Sequence, residues 1–223
     1  MKTIKIFALA ILTLPIMLAG CSLTRTQKGA GIGTVAGGAA GAVIGRVAGN
    51  TAIGAVVGAT VGGVTGAIIG NKMDKQAAEI KNEIPGVNVE RVGEGIVVEF
   101  TNDVLFGFDS YVLTSSAKEN LNKLVTILDK YPDTNIEIHG HTDSKGAASY
   151  NQNLSLQRSD AVRKYLAYQG VSNSRLTALG FGESQPKYSN ETNESRAQNR
   201  RVEFAITANE KMKREAEQSK IEN

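Results

Sequence analysis

The sequence predicts an α+β fold: an α/β sandwich, with helices packed on one face of a mixed sheet, preceded by a glycine-rich helical hairpin and an N-terminal export signal. Three observations carry this. All aromatic residues except Phe7 fall between Phe100 and Phe204, so a packed core belongs to the second half of the 223-residue chain. Fourteen of the 24 glycines fall between Gly29 and Gly70. Beyond residue 87, segments with period-two alternation are interleaved with segments of helical spacing.

Lys2 and Lys5 precede an apolar run from Ile6 to Leu18, which ends in Leu18-Ala19-Gly20-Cys21. A positive start, a short apolar stretch and a small-residue exit make a secretory signal over residues 1–20. The run is shorter than the ~20 residues a membrane span needs. Cys21 is the only cysteine, which excludes an internal disulfide framework and a Cys-rich zinc site. Leu-Ala-Gly-Cys resembles the lipobox of bacterial lipoproteins. The resemblance implies cleavage before Cys21, a diacylglycerol on its sulfur and acylation of its new amine. Several acyl chains anchor stably where one does not. Ser22 in place of Asp implies sorting to the outer membrane, facing the periplasm.

The formal charge is +3, from 25 Lys plus Arg against 22 Asp plus Glu. Without Lys2 and Lys5 the chain is nearly neutral, which argues against nucleic acid as a partner.

After a short lipidated N-terminus (21–28), glycine recurs every four residues from Gly29 to Gly49 and again from Gly54 to Gly70. A period of four lines one face of a helix. The slip at Gly49-Asn50-Thr51 is turn chemistry, with Thr51 as a cap. This predicts a hairpin within residues 29–71, with arms over 31–49 and 52–70. Each interior glycine costs about 1 kcal/mol relative to Ala, and close helix approach would compensate. The segment resembles a glycine zipper. Two readings stand: the hairpin associates with the membrane or with itself, or it is a Gly/Ala spacer. Arg46, the one charge between Gly29 and Gly70, weakens a spanning version.

Residues 72–94 read as a charged linker and first strand, with Pro85-Gly86 ending a short solvated helix. Val87–Val92 and Ile96–Phe100 read as strands joined by a turn at 93–95. Leu121, Leu124, Val125 and Leu128 mark a helix capped by Ser115 or Ser116. Asn135–His139 is a strand, about 153–169 a helix ended by Gly170, and Arg175–Leu179 a strand. A short helix near 194–199 and a strand from Arg201 to Ile206 close the domain at 95–208. Residues 209–223 read as a charged tail with little to bury.

One residue breaks the pattern. Leu154, Ala161, Val162 and Tyr165 define the apolar face of the 153–169 helix, and Arg158 falls in its middle. A guanidinium there keeps its charge, so it needs a planar anion or a route to solvent. The bland alternatives are an internal salt bridge and a side chain that reaches out at the helix start. The preceding loop, His139-Gly140-His141-Thr142-Asp143-Ser144-Lys145-Gly146, leaves a strand end, where sites are commonly built. Asp143 and Arg158 together suit a zwitterion carrying an ammonium and a carboxylate.

Phe108-Asp109-Ser110, Gly140-His141-Thr142-Asp143, Asn151…Leu154-Ser155…Arg158, Gly180-Phe181-Gly182-Glu183…Pro186 and Asn199-Arg200-Arg201-Val202-Glu203 resemble, in order, the C-terminal domain shared by OmpA, Pal and MotB. With lipobox and glycine zipper, the layout resembles the YiaD-like group of outer-membrane lipoproteins. The resemblance implies an OmpA-like sandwich that binds peptidoglycan without cleaving it, by gripping the meso-diaminopimelate of the stem peptide. It implies that Asp143 takes the ammonium and Arg158 the carboxylate. Asp109, Thr142, Asn151 and Leu154 match pocket positions, and Arg200 or Arg201 matches a basic contact. A lysine-type stem lacks the second carboxylate, and leaving Arg158 unpaired would cost on the order of 10⁴-fold in binding.

His139 and His141 share a strand face but lack further ligands, so no metal is expected. There is no nucleophile elbow and no phosphate loop, and no cofactor is expected. Asp143 and Glu183 as an acid/base pair would be the enzymatic alternative. Two functional readings follow: a non-catalytic tether of outer membrane to cell wall, or a wall-anchored subunit of an envelope assembly, secretion or motor complex, in which the glycine segment supplies the contacts.

Overall fold

The computed structural model describes residues 51–59, 61–107 and 109–221. The expected export signal, Cys21 and the first glycine run lie outside the described residues. Among those described, the elements are α1 (Thr51–Gly58), α2 (Gly63–Glu83), β1 (Asn88–Val92), β2 (Gly95–Thr101), α3 (Asn102–Leu105), α4 (Ser115–Lys130), β3 (Thr134–Gly140), α5 (Ala148–Tyr168), a 3₁₀ turn (Asn173–Arg175), β4 (Leu176–Gly180), α6 (Asn193–Asn199), β5 (Arg201–Ala208) and α7 (Glu210–Ile221).

The five strands form one mixed sheet in the order β1-β2-β5-β3-β4. Only β3 and β4 pair in parallel. Period-two alternation sends Ile96, Val98, Phe100, Ile136, Ile138, Val202, Phe204 and Ile206 to one face, where all are buried. The Phe100 and Phe204 rings meet there at a tilt of 60°, with centroids 5.3 Å apart. Leu121, Leu124 and Leu128 of α4, and Val162 and Leu166 of α5, cover that face. Each large apolar side chain so buried contributes roughly 1.5–3 kcal/mol. Thr114 rather than Ser115 or Ser116 caps α4, its Oγ1 accepting from Ala117 N at 3.0 Å.

Three elements differ from expectation. The 52–70 arm is two helices, one ending at Gly58 and the next starting at Gly63, and Gly62 and Gly63 take positive φ of 73° and 66°. The following helix runs on to Glu83, so the expected charged linker is a core element. Ile69, Met73, Ala77 and Ile80 recur at three- and four-residue spacing and are buried. The expected tail is α7, whose Met212 and Ala216 are buried in the same core. Lys72 of α2 lies 3.7 Å from Glu215 of α7. In addition, α1 lies on the sheet's opposite face, with Ala52 and Val56 against Val97 and Ala205. Among the described residues, no helix is long and apolar enough to cross a membrane.

Two glycines set the position of α5. A Cβ on Gly140 would sit 2.1 Å from Ser155 O, and one on Gly180 would sit 2.6 Å from Leu156 N. Without side chains there, α5 lies directly on β3 and β4. That contact carries Asn151, Leu154 and Arg158 to the end of the sheet where β2 and β3 finish and β5 begins.

Candidate functional site

At that end of the sheet is a cleft of about 660 Å³. It is bounded by α3, the loop after it, the loop after β3, the first half of α5, and α6 with Arg200 behind it. Asp109, Thr142, Asp143, Asn151, Leu154, Arg158 and Arg200 all line it, so seven of the eight residues expected from sequence converge.

Arg158 is 3% exposed. Its Nε donates to Ser110 O at 2.9 Å, and its guanidinium lies 5.6 Å from the centre of the Phe106 ring. Among the described residues it has no carboxylate within 4.0 Å, and its two terminal Nη groups make no hydrogen bond. An internal salt bridge therefore does not account for it. Burial pulls its pKa below the ordinary guanidinium value, while the nearby Asp109 and Tyr150 push it back up. A guanidinium stays charged through either influence. The Nε bond fixes the plane of the group and leaves the outer fork for a two-oxygen acceptor.

Asp109 is held in an unusual backbone state. Its φ is 49°, the only positive value at a non-glycine among the described residues, a region that side chains other than glycine disfavour. Tyr150 Oη donates to its Oδ1 at 2.7 Å. This keeps a carboxylate at the mouth of the cleft on the Arg158 side.

Asp143 stands on the loop after β3. Its Oδ1 accepts from Lys145 N at 2.9 Å, and its Oδ2 accepts from Arg200 Nη1 at 2.8 Å. The loop is pinned from three sides. His141 N donates to Arg201 O at 3.0 Å and Thr142 N to Gly182 O at 2.9 Å. Asn151 Nδ2 reaches Asp143 O, Lys145 O and Glu183 Oε2 at 3.3, 3.0 and 2.6 Å. Asn151 thus positions the acidic loop as well as lining the cleft.

Arg201, the eighth expected residue, is not in the cleft. It sits in β5 at odd parity, on the face opposite Val202 and Phe204, and is fully buried there. Its Nε donates to Glu203 Oε1 at 2.7 Å, and its Nη groups donate to Asn199 O and Gln185 O at 3.2 and 3.3 Å. Arg200 comes just before the strand, free of its alternation, and turns into the cleft. The two histidines also face the Arg201 side. His141 stacks on Phe181 with centroids 5.3 Å apart, and His139 meets the same ring edge-on. Burial, then the Arg201 charge, holds the His141 pKa well below the ordinary histidine value. Among the described residues, no group of three His, Cys, Asp or Glu side chains is placed to hold a metal.

Sequence reasoning missed Asn102, Asp103, Phe106, Lys145, Tyr150, Asn193 and Arg196, which also line the cleft. Tyr150 was hidden because α5 starts five residues before the periodicity shows, with no side-chain cap to mark it. The short α3 left no helical period to read. The cleft's cations are Lys145, Arg158, Arg196 and Arg200, and its acids Asp103, Asp109 and Asp143. Both signs of charge face one space, which suits a ligand that itself bears both.

Residues 105–200 match the OmpA family, and residues 1–74 match the YMGG-like Gly-zipper. The chain is 38% identical over 141 residues to the probable lipoprotein YiaD of Escherichia coli K12, covering 62% of this chain and 64% of that one. It is 32% identical over 131 residues to the peptidoglycan-associated lipoprotein of Buchnera aphidicola subsp. Baizongia pistaciae, covering 59% and 72%. Among solved structures, the cell wall anchor of the T6SS from Pseudomonas aeruginosa superposes with a TM-score of 0.53 at 29% identity, covering 62% and 97%. The chain spans about a third of the outer membrane porin F of Pseudomonas fluorescens, to which it is 45% identical over 112 residues. On these matches, the chain belongs to the OmpA family.

Proposed function

We propose that the cleft holds the meso-diaminopimelate of a peptidoglycan stem, with the ligand's ammonium on Asp143 and its carboxylate on Arg158. The chain is then a non-catalytic tether. Lipid on Cys21 holds it in the outer membrane, facing the periplasm, and the C-terminal domain grips the wall. The observation that carries this reading is Arg158: buried, oriented through Nε, and with both Nη groups unspent among the described residues, in the same cleft as Asp143. The similarity to a peptidoglycan-associated lipoprotein supports the ligand class.

Co-sedimentation with purified sacculi tests it. Arg158→Ala and Asp143→Ala are each expected to weaken binding by 30-fold or more, since losing one partner of a buried charge pair costs about 2–5 kcal/mol. Sacculi with lysine stems should bind far less than those with diaminopimelate stems. Equal binding to both wall types, or full binding by both variants at unchanged thermal stability, would overturn the assignment. Release of muropeptides would instead point to Asp143 and Glu183 as an acid/base pair.

The similarity to a secretion-system wall anchor favours a second reading. There the wall is a foothold for an envelope assembly, and residues 29–71 contact partners or other copies. Crosslinking in cells with and without residues 29–50 separates the two, because a simple tether needs no protein neighbour there, and the deletion spares α1 and α2, which pack on the domain.

A further inference from the structure

The second glycine run has an occupant. Gly62, Gly66 and Gly70 stand one helical turn apart, and Asp74 takes the next position. The turn between β1 and β2 lies along this stripe. Glu94 of that turn accepts from Val61 N and Gly62 N, both at 2.6 Å, through its two carboxylate oxygens. It therefore supplies an acceptor, and a negative charge, at the start of α2, where backbone N–H groups lack helical partners. A Cβ on Gly66 would fall 2.1 Å from Glu94 Oε1. One turn further, Arg91 Nη2 donates to Gly70 O at 3.3 Å and lies 3.8 Å from where a Gly70 Cβ would be. Arg91 Nε then pairs with Asp74 at 2.7 Å, while Nη1 donates to Gly95 O.

We propose that Gly62, Gly66 and Gly70 form a docking groove for the chain's own β1–β2 turn, with Glu94 and Arg91 as the two occupants. The groove is closed to zipper packing against a membrane helix or a second copy while the domain is folded. Self-association or membrane contact through Gly62, Gly66 and Gly70 is thereby blocked. The absent side chains make room for two charged ones, which a groove meant for another helix would not need.

The test is a double-mutant cycle on the full chain, read by thermal unfolding. In a helix with nothing beside it, Gly66→Ala is stabilising. Here it displaces the Glu94 carboxylate. Gly66→Ala is expected to lower Tm by about 2–4 °C in the native background and to raise it in a Glu94→Ala background. Neither residue lines the cleft, so sacculus binding should persist in both variants, which keeps this result separate from the wall-binding test. A rise in Tm on Gly66→Ala in both backgrounds overturns the proposal. So does a loss of oligomer mass on Gly66→Ala, which would hand the groove to a second copy.

Discussion

Arg200 and Arg201 are neighbours in the chain and opposites in their surroundings. Arg200 faces the cleft, its side chain 31% exposed, and shares itself between Asp143 at 2.8 Å and Asp103 at 3.9 Å. Arg201 lies under the loop at 181–190 with no exposure, bound to Glu203 and two carbonyls. The same side chain lines an open cleft where it keeps contact with solvent, and ties β5 to its neighbours where it is buried. The comparison extends to whole regions. On the cleft side, Arg158 and Asp143 retain room for a guest. On the far side, Arg201, Glu203 and His141 tie the loop and the sheet together.

The sharpest way to break this contrast is to cut the far-side pair. Arg201→Ala or Glu203→Ala breaks a fully buried ion pair and is expected to destabilise by about 3–5 kcal/mol, measured by urea unfolding. The paired change Arg201→Met with Glu203→Leu should recover most of that loss, because two apolar groups need no partner. Recovery would show that the pair holds shape and is not a ligand contact.

A smaller effect comes from His141. Its folded-state pKa is depressed, so the neutral form is the one the fold favours. Above the ordinary histidine value of about 6.5 both states are neutral and the contribution is fully present. As pH falls below that, only the unfolded chain takes the proton, and stability drops by about 1.4 kcal/mol per pH unit until native His141 itself protonates. Denaturant midpoints between pH 6.5 and 5.0 should slope in the native protein and flatten in His141→Gln. Equal slopes would remove His141 from the far-side cluster's energetics.

The smallest expected effect is Arg200→Ala. Its half-open ion pair is worth no more than about 1 kcal/mol to the fold. Sacculus binding should weaken severalfold, because Asp143 loses one of the two donors that fix it. A loss as large as that of Arg158→Ala would make Arg200 a direct contact.

The sequence made the central feature readable because it violated a pattern. Arg158 interrupts an apolar helix face, and interruption is visible without coordinates. The choice between Arg200 and Arg201 was also within reach, since Val202, Phe204 and Ile206 fix the parity of β5 and put Arg201 on the other face. What parity could not show is that the loop at 181–190 buries that face. The helices α2 and α7 escaped for a different reason. Their apolar residues, such as Met73, Ala77 and Ile80, or Met212 and Ala216, are sparse among charges, and each helix needs only a narrow buried stripe because the other lies beside it. Tyr150 and Asp103 were invisible because Tyr150 sits in the first turn of α5, before its apolar period begins, and Asp103 in the four-residue α3, too short to show a period.

Asp143 already carries two donors before any guest arrives, from Lys145 N and Arg200. Under the proposed reading, an incoming ammonium would gain less from it than from a bare carboxylate, and each clasp on the wall would be the shallower for that. Many such clasps along one surface would hold by number, and each would release on its own when the material beneath it is remodelled.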